Sequence, residues 1–111
     1  MVNLDISNNK LEELHDKVFN TQASLKDLNL SDNLISDLSK KTFAGLKNIQ
    51  RINLRKNKIK QISEKVFRRL RFLKSLDLGE NKVEDIDNTA FGNIKNVKVL
   101  KLDNNNLQFV P

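Results

Sequence analysis

His15 is the one histidine of the chain and stands close to Glu12, Glu13 and Asp16. An imidazole among carboxylates is a setting in which a general base can be tuned toward neutral pH. Ser, His and Asp are all available, yet no nucleophile elbow or phosphate-cradling Gly loop accompanies them. A solvated surface histidine is the better reading. Asp85-Ile86-Asp87-Asn88 opens like a calcium loop, but Ala90 replaces the sixth-place Gly and Asn96 the twelfth-place Glu. The absence of Cys removes thiol catalysis, thiolate zinc sites and any disulfide framework. No enzyme, metal site or cofactor is expected.

The chemistry that remains is charge. Residues 49–72 hold Arg51, Arg55, Lys56, Lys58, Lys60, Lys65, Arg68, Arg69 and Arg71 against a single acid, Glu64. That segment carries +8 in a chain of net charge +6, so the rest sums to −2. An anionic or acidic partner would find its strongest potential there.

These residues are positioned by a repeat. Five segments begin at residues 1, 25, 49, 73 and 97, so every step is 24, and the second reads Leu25-Lys-Asp-Leu28-Asn-Leu30-Ser-Asp-Asn33-Leu-Ile35. A fixed period in this range marks a solenoid, whose coils bury their cores against one another. The units are 1–24, 25–48, 49–72, 73–96 and a partial 97–111 of one domain, with no linker between them. Apolar residues at positions one, four, six and eleven point inward, and the alternation around four and six predicts strands over 3–7, 27–31, 51–55, 75–79 and 99–103. Coil-on-coil stacking makes these strands one parallel sheet on a concave face.

Two invariant columns fit the same geometry. Asn9, Asn33, Asn57, Asn81 and Asn105 occupy position nine. A side-chain amide both donates and accepts, so this column forms a structural ladder satisfying the turns after the strands. Phe19, Phe43, Phe67 and Phe91 form a core column on the convex side, followed by Leu46, Leu70 and Ile94. The first repeat has Gln22 at that last place, which predicts a looser coil or an inward Ala23. The return segments are too short for long helices and should form turns or one helical turn.

Leu-x-x-Leu-x-Leu-x-x-Asn-x-Leu in a 24-residue unit, with Phe at nineteen and Leu at twenty-two, resembles the typical leucine-rich repeat of animal extracellular proteins. Toll-type receptors, Slit-like guidance proteins and small leucine-rich proteoglycans share it. The resemblance spans essentially the whole chain. It implies an α/β solenoid: a right-handed coil, or horseshoe segment, with a concave parallel sheet and an irregular or short helical-turn convex side. The family usually has Pro at position fifteen, where His15, Ser39, Ser63 and Asp87 stand here, and usually seals its ends with Cys-containing caps. Starting at the first motif position and ending within the fifth repeat, the chain reads as an uncapped segment of a longer protein.

The resemblance implies a non-enzymatic recognition module of an extracellular or cell-surface protein, as in innate immunity or adhesion, with a macromolecule bound on the concave face. The alternative is an intracellular scaffold or inhibitor, cytoplasmic in location, built from the same repeat. A protein partner is favoured, an acidic polymer such as a sulfated glycan comes next, and nucleic acid is disfavoured. No apolar run long enough to span a membrane exists in this segment, and the uncapped ends offer a second route, self-association.

Concave positions expected to meet the ligand include Arg51, Asn53, Arg55, Lys56, Lys58, Asp77 and Lys101. Arg51 is expected to pair with Asp27, and Lys56 with Asp32 and Glu80, across neighbouring strands. Arg55, Lys58, Arg68, Arg69 and Arg71 have no evident partner in sequence, and with Lys60 and Lys65 they form the basic patch. Leu34 and Val99 are candidate apolar anchors. Asn29-Leu30-Ser31 matches a glycosylation sequon.

Overall fold

The computed structural model describes residues 2–63, 65–86 and 97–107. Phe91 and Ile94 of the apolar columns, Glu64, and the second half of the calcium-like stretch lie outside these residues.

Strands form at the expected place in every repeat: β1 Asn3–Asp5, β2 Asp27–Asn29, β3 Arg51–Asn53, β5 Ser75–Asp77 and β7 Val99–Lys101. They build a parallel sheet in the order β1-β2-β3-β5-β7. Its register joins Asn3, Asp27, Arg51, Ser75 and Val99 across the sheet, so one repeat of chain advances the structure by one strand. Two further short strands, β4 Gln61–Ile62 and β6 Asp85–Ile86, pair in parallel as a second sheet that the residue pattern did not predict. They follow from the stacking itself: consecutive coils that match at one sheet bring their return segments into register too.

The strands are three residues long, not five. Hydrogen bonding continues beyond them, with the N–H of Leu30 donating to the Asn53 carbonyl at 2.8 Å and that of Leu54 to Asp77 at 2.8 Å. The extended backbone ends because position eight turns into the left-handed region. Asn8, Asp32, Lys56, Glu80 and Asn104 have φ between 51° and 58°. Asn and Asp tolerate that conformation, whereas Lys and Glu bear a strain of order 1 kcal/mol. Among the described residues the return segments are turns, with no helix.

Burial follows the repeat positions. Leu25, Leu28, Leu30 and Ile35 of the second coil, Ile49, Ile52, Leu54 and Ile59 of the third, and Leu73, Leu76, Leu78 and Val83 of the fourth are all fully enclosed. In the first coil Leu4, Ile6 and Leu11 are only half-buried. Gln22 is half-buried and Ala23 is exposed, so Ala23 does not take the inward place. Its carbonyl instead accepts a hydrogen bond from Asn48 Nδ2 at 2.8 Å. On the convex side Phe19, Phe43 and Phe67 stack nearly parallel, with centroids 6.4 and 5.8 Å apart.

The position-nine asparagines stitch adjacent coils together. Asn57 Oδ1 accepts from the Ile35 N–H of the previous coil at 3.1 Å. Its Nδ2 donates to the Leu30 carbonyl of that coil and to its own Leu54 carbonyl, both at 3.0 Å. Asn33, Asn81 and Asn105 repeat this pattern. Among the described residues Asn9, in the first coil, bonds only its own turn at Ile6 and Ser7.

Candidate recognition surface

A shallow trough of about 450 Å³ crosses the five-stranded sheet on its concave side. Most of its lining residues come from odd strand positions, which the pleat turns outward, with the strand centres Leu4, Leu28 and Ile52 at its base. Position five forms an ordered row. Asp5, Asn29, Asn53 and Asp77 each accept, through Oδ1, the backbone N–H two residues on, at 2.9–3.0 Å. These are Asx turns, in which a short side chain stands in for a backbone acceptor. The run of Asp and Asn at one repeat position was the available signal. Asn53 and Asp77, expected to face a ligand, therefore also hold the loop after their own strands. Asn29 is half-buried, and its Oδ1 also accepts the Ser31 hydroxyl at 2.7 Å. Ser7, through its hydroxyl and then its N–H, keeps the Asp5 carboxyl below its ordinary pKa.

Arg55 departs from expectation. It is not a free cation but the centre of a four-residue network. Its Nη1 and Nη2 grip Asp103 as a fork at 3.0 and 2.5 Å, Nη1 also reaches Asp77 at 3.2 Å, and Nε donates to Glu80 at 3.0 Å. The Asp103 hydrogen bond raises the Arg55 pKa further above its already high value and lowers that of Asp103. Planar bidentate pairing of this kind is where Arg is stronger and more specific than Lys.

Gly79 makes the network possible. Arg55 starts on the loop after β3 and must cross the intervening coil to reach Asp103, two coils away. At the corresponding place that coil has Gly79, and a Cβ there would collide with Arg55 Nη1 and lie 2.7 Å from Asp103 Oδ1. Residues 55, 79 and 103 are one repeat column, but charge counting within one repeat cannot see a partner two repeats on.

Lys56 also departs from expectation. Among the described residues it makes no ion pair with Asp32 or Glu80. Glu80 is held by Arg55, and the left-handed backbone at Lys56 and Asp32 redirects both side chains. Arg51 and Asp27 do pair, at 3.0 Å, but with side chains 61% and 39% exposed the contact contributes little. Lys58 and Lys101 are exposed, and Lys101 lies beside Asp77 in the sheet register.

The basic patch divides. Lys65, Arg68 and Arg69 line a groove in the turns, with Lys17, Lys40 and Lys41 from other coils. Lys60 and Arg71 are exposed but do not line that groove. His15 is exposed, and the adjacent Asp16 accepts the Ser39 hydroxyl at 2.5 Å. Among the described residues no three His, Cys, Asp or Glu side chains converge as metal ligands. No helix among them is long and apolar enough to cross a membrane.

Solved structures that match this geometry are leucine-rich-repeat solenoids and their complexes. A chain of the Drosophila Toll–Spatzle complex superposes on 99% of this protein with a TM-score of 0.91 and 30% identity. A chain of the TLR13–ssRNA13 complex covers 96% at a TM-score of 0.90 and 32% identity. A leucine-rich-repeat protein of Leptospira interrogans covers 100% at 0.85 and 30%. The present chain spans only 16%, 15% and 27% of those chains. No curated protein sequence matches it. The sequence model for the leucine rich repeat, a non-catalytic unit, matches residues 1–59, 36–83 and 71–111. The chain belongs to the leucine-rich repeat family.

Proposed function

We propose that this chain is a recognition segment of an extracellular or cell-surface receptor and that it binds a protein on its concave face. The observation that carries this reading is the preorganised state of that face. Asp5, Asn29, Asn53 and Asp77 are each held by a backbone N–H, and Arg55 is locked by three carboxylates. A partner docking there immobilises few additional side chains, so less of its contact energy is lost to ordering. The trough, lined by Asn, Asp, Arg and Lys side chains together with the exposed Val99, suits a mixed polar and apolar protein surface. Similarity to a chain of the Toll–Spatzle complex supports a protein ligand and an extracellular setting.

Arg51, Lys58 and Lys101 are the concave cations placed to steer such a partner, while Arg55 acts by holding the surface in shape. A glycan on Asn29, on the second of the five strands, would block this face, so the reading takes Asn29 as unmodified. The test probes an array of purified extracellular proteins with the 111-residue chain. Hits are then measured with Lys58→Glu/Lys101→Glu and with the turn-side pair Lys41→Glu/Lys65→Glu. The concave pair should weaken binding about tenfold or more, equivalent to about 1.4 kcal/mol, and the turn-side pair less than about twofold. Hits insensitive to the concave pair would refute the reading.

A further inference from the structure

A second cluster of positive charge lies away from the concave face. On the opposite side, the turns of three successive coils form a groove of about 440 Å³ lined by Lys17, Lys40, Lys41, Lys65, Arg68 and Arg69. Among the described residues no acidic residue lines it, and none of these six cations is in an ion pair. All six are exposed. Asp16, next to Lys17 in sequence, accepts the Ser39 hydroxyl; Glu64, next to Lys65 in sequence, lies outside the described residues.

The arrangement is ordered by the repeat. Lys17, Lys41 and Lys65 are 24 residues apart and form a column two residues before the stacked phenylalanines. The Lys17 N–H donates to the Lys41 carbonyl at 3.0 Å, which fixes the register of the first two coils there. The phenylalanine centroids, 6.4 and 5.8 Å apart, give the coil spacing on this side. Lysines thus recur about every 6 Å along the solenoid, with Arg68 and Arg69 alongside the third. Phe43, Val66 and Leu70 supply a shallow apolar floor whose side chains are themselves almost fully buried.

We infer that this turn-side groove binds a sulfated glycan running across the coils, separately from the concave protein site. A column with one lysine per coil, flanked by Lys40, suits a linear polyanion, and the neighbouring guanidinium groups can fork onto sulfate oxygens. Nucleic acid fits less well, because its binding to such a groove draws on aromatic stacking platforms. Among the described residues Phe43 is the only aromatic one lining the groove, and its ring is enclosed in the core column. Of the six cations only Lys65, Arg68 and Arg69 come from the strongly basic repeat, so reading charge one repeat at a time misses half of them.

The experiment measures the 111-residue chain on immobilised heparin across a salt series. Lys41→Glu/Lys65→Glu should weaken binding about tenfold or more at physiological salt. It should also lower the slope of log K against log salt by roughly 1.5, as expected for two lost anion contacts. Lys41→Gln/Lys65→Gln, a milder change, should move both in the same direction, while Lys58→Glu/Lys101→Glu should change affinity by less than about twofold. Unchanged heparin binding in both turn-side pairs would overturn the site. Equal binding to desulfated heparin would overturn the role of sulfate, and equal or tighter binding to single-stranded DNA of matched charge would assign the groove to nucleic acid instead.

Discussion

Asn57→Ala tests the device that joins one coil to the next. Asn57 is 4% exposed and serves four backbone groups: it accepts from Ile35 N–H and donates to the carbonyls of Leu30, Leu54 and Arg55. The alanine variant does not orphan all four. Leu30 retains a bond from Asn33 and Leu54 one from Asn81. Ile35 N–H is left buried without its acceptor, which costs about 1–3 kcal/mol, and the weakened carbonyl bonds add roughly 0.5–1 kcal/mol each. The sum is a loss of roughly 2–5 kcal/mol, or about 8–20 °C in Tm for a domain of this size. Asn9 is exposed and serves only Ile6 and Ser7, so Asn9→Ala should cost less than about 1 kcal/mol. Urea unfolding of both variants by circular dichroism measures the contrast. Coil-to-coil coupling also predicts a broader transition for Asn57→Ala, because the break falls between the second and third coils. Equal losses for the two variants, or a loss below about 1 kcal/mol for Asn57→Ala, would refute the reasoning.

Lys56→Asn should raise stability by about 0.5–1 kcal/mol, since φ is 58° there and Asn tolerates the left-handed region better than Lys; a loss in thermal denaturation would contradict it. Gly79→Ala should destabilise the protein by pushing Arg55 off Asp103, and much less so in an Arg55→Ala background. Additive effects in that double-mutant cycle would show that Gly79 serves its own backbone and not the guanidinium. The Asp103 carboxyl is held below its ordinary value of 3.8 by Arg55, so its contribution is full above that value and is lost as pH falls through the lowered one. The stability gap between the natural protein and Asp103→Asn should therefore narrow as acid unfolding proceeds below about pH 4, and a constant gap would contradict the linkage.

The repeat period made the fold legible because every inward residue and every asparagine recurs at one register. Leu28, Ile52 and Leu76 occupy the buried strand centres that alternation predicts, and Phe19, Phe43 and Phe67 stack as a column does. What stayed hidden depends on backbone direction or on reach across several repeats. The left-handed turn at position eight spoiled the expected Lys56 pairs, since strand-pairing logic assumes extended backbone. Arg55 looked unpartnered because its strongest partner, Asp103, lies 48 residues away across the gap left by Gly79. The turn-side groove was visible only in part, because three of its six cations belong to repeats with little excess charge.

The most direct test of the central claim, concave recognition of a protein, is a crossed affinity measurement. The concave pair Lys58→Glu/Lys101→Glu and the turn-side pair Lys41→Glu/Lys65→Glu are each titrated against a protein captured from the extracellular array and against heparin. The account predicts opposite losses, with the protein sensitive to the concave pair alone and heparin to the turn-side pair alone. Loss of the protein through the turn-side pair, with the concave pair silent, would contradict it.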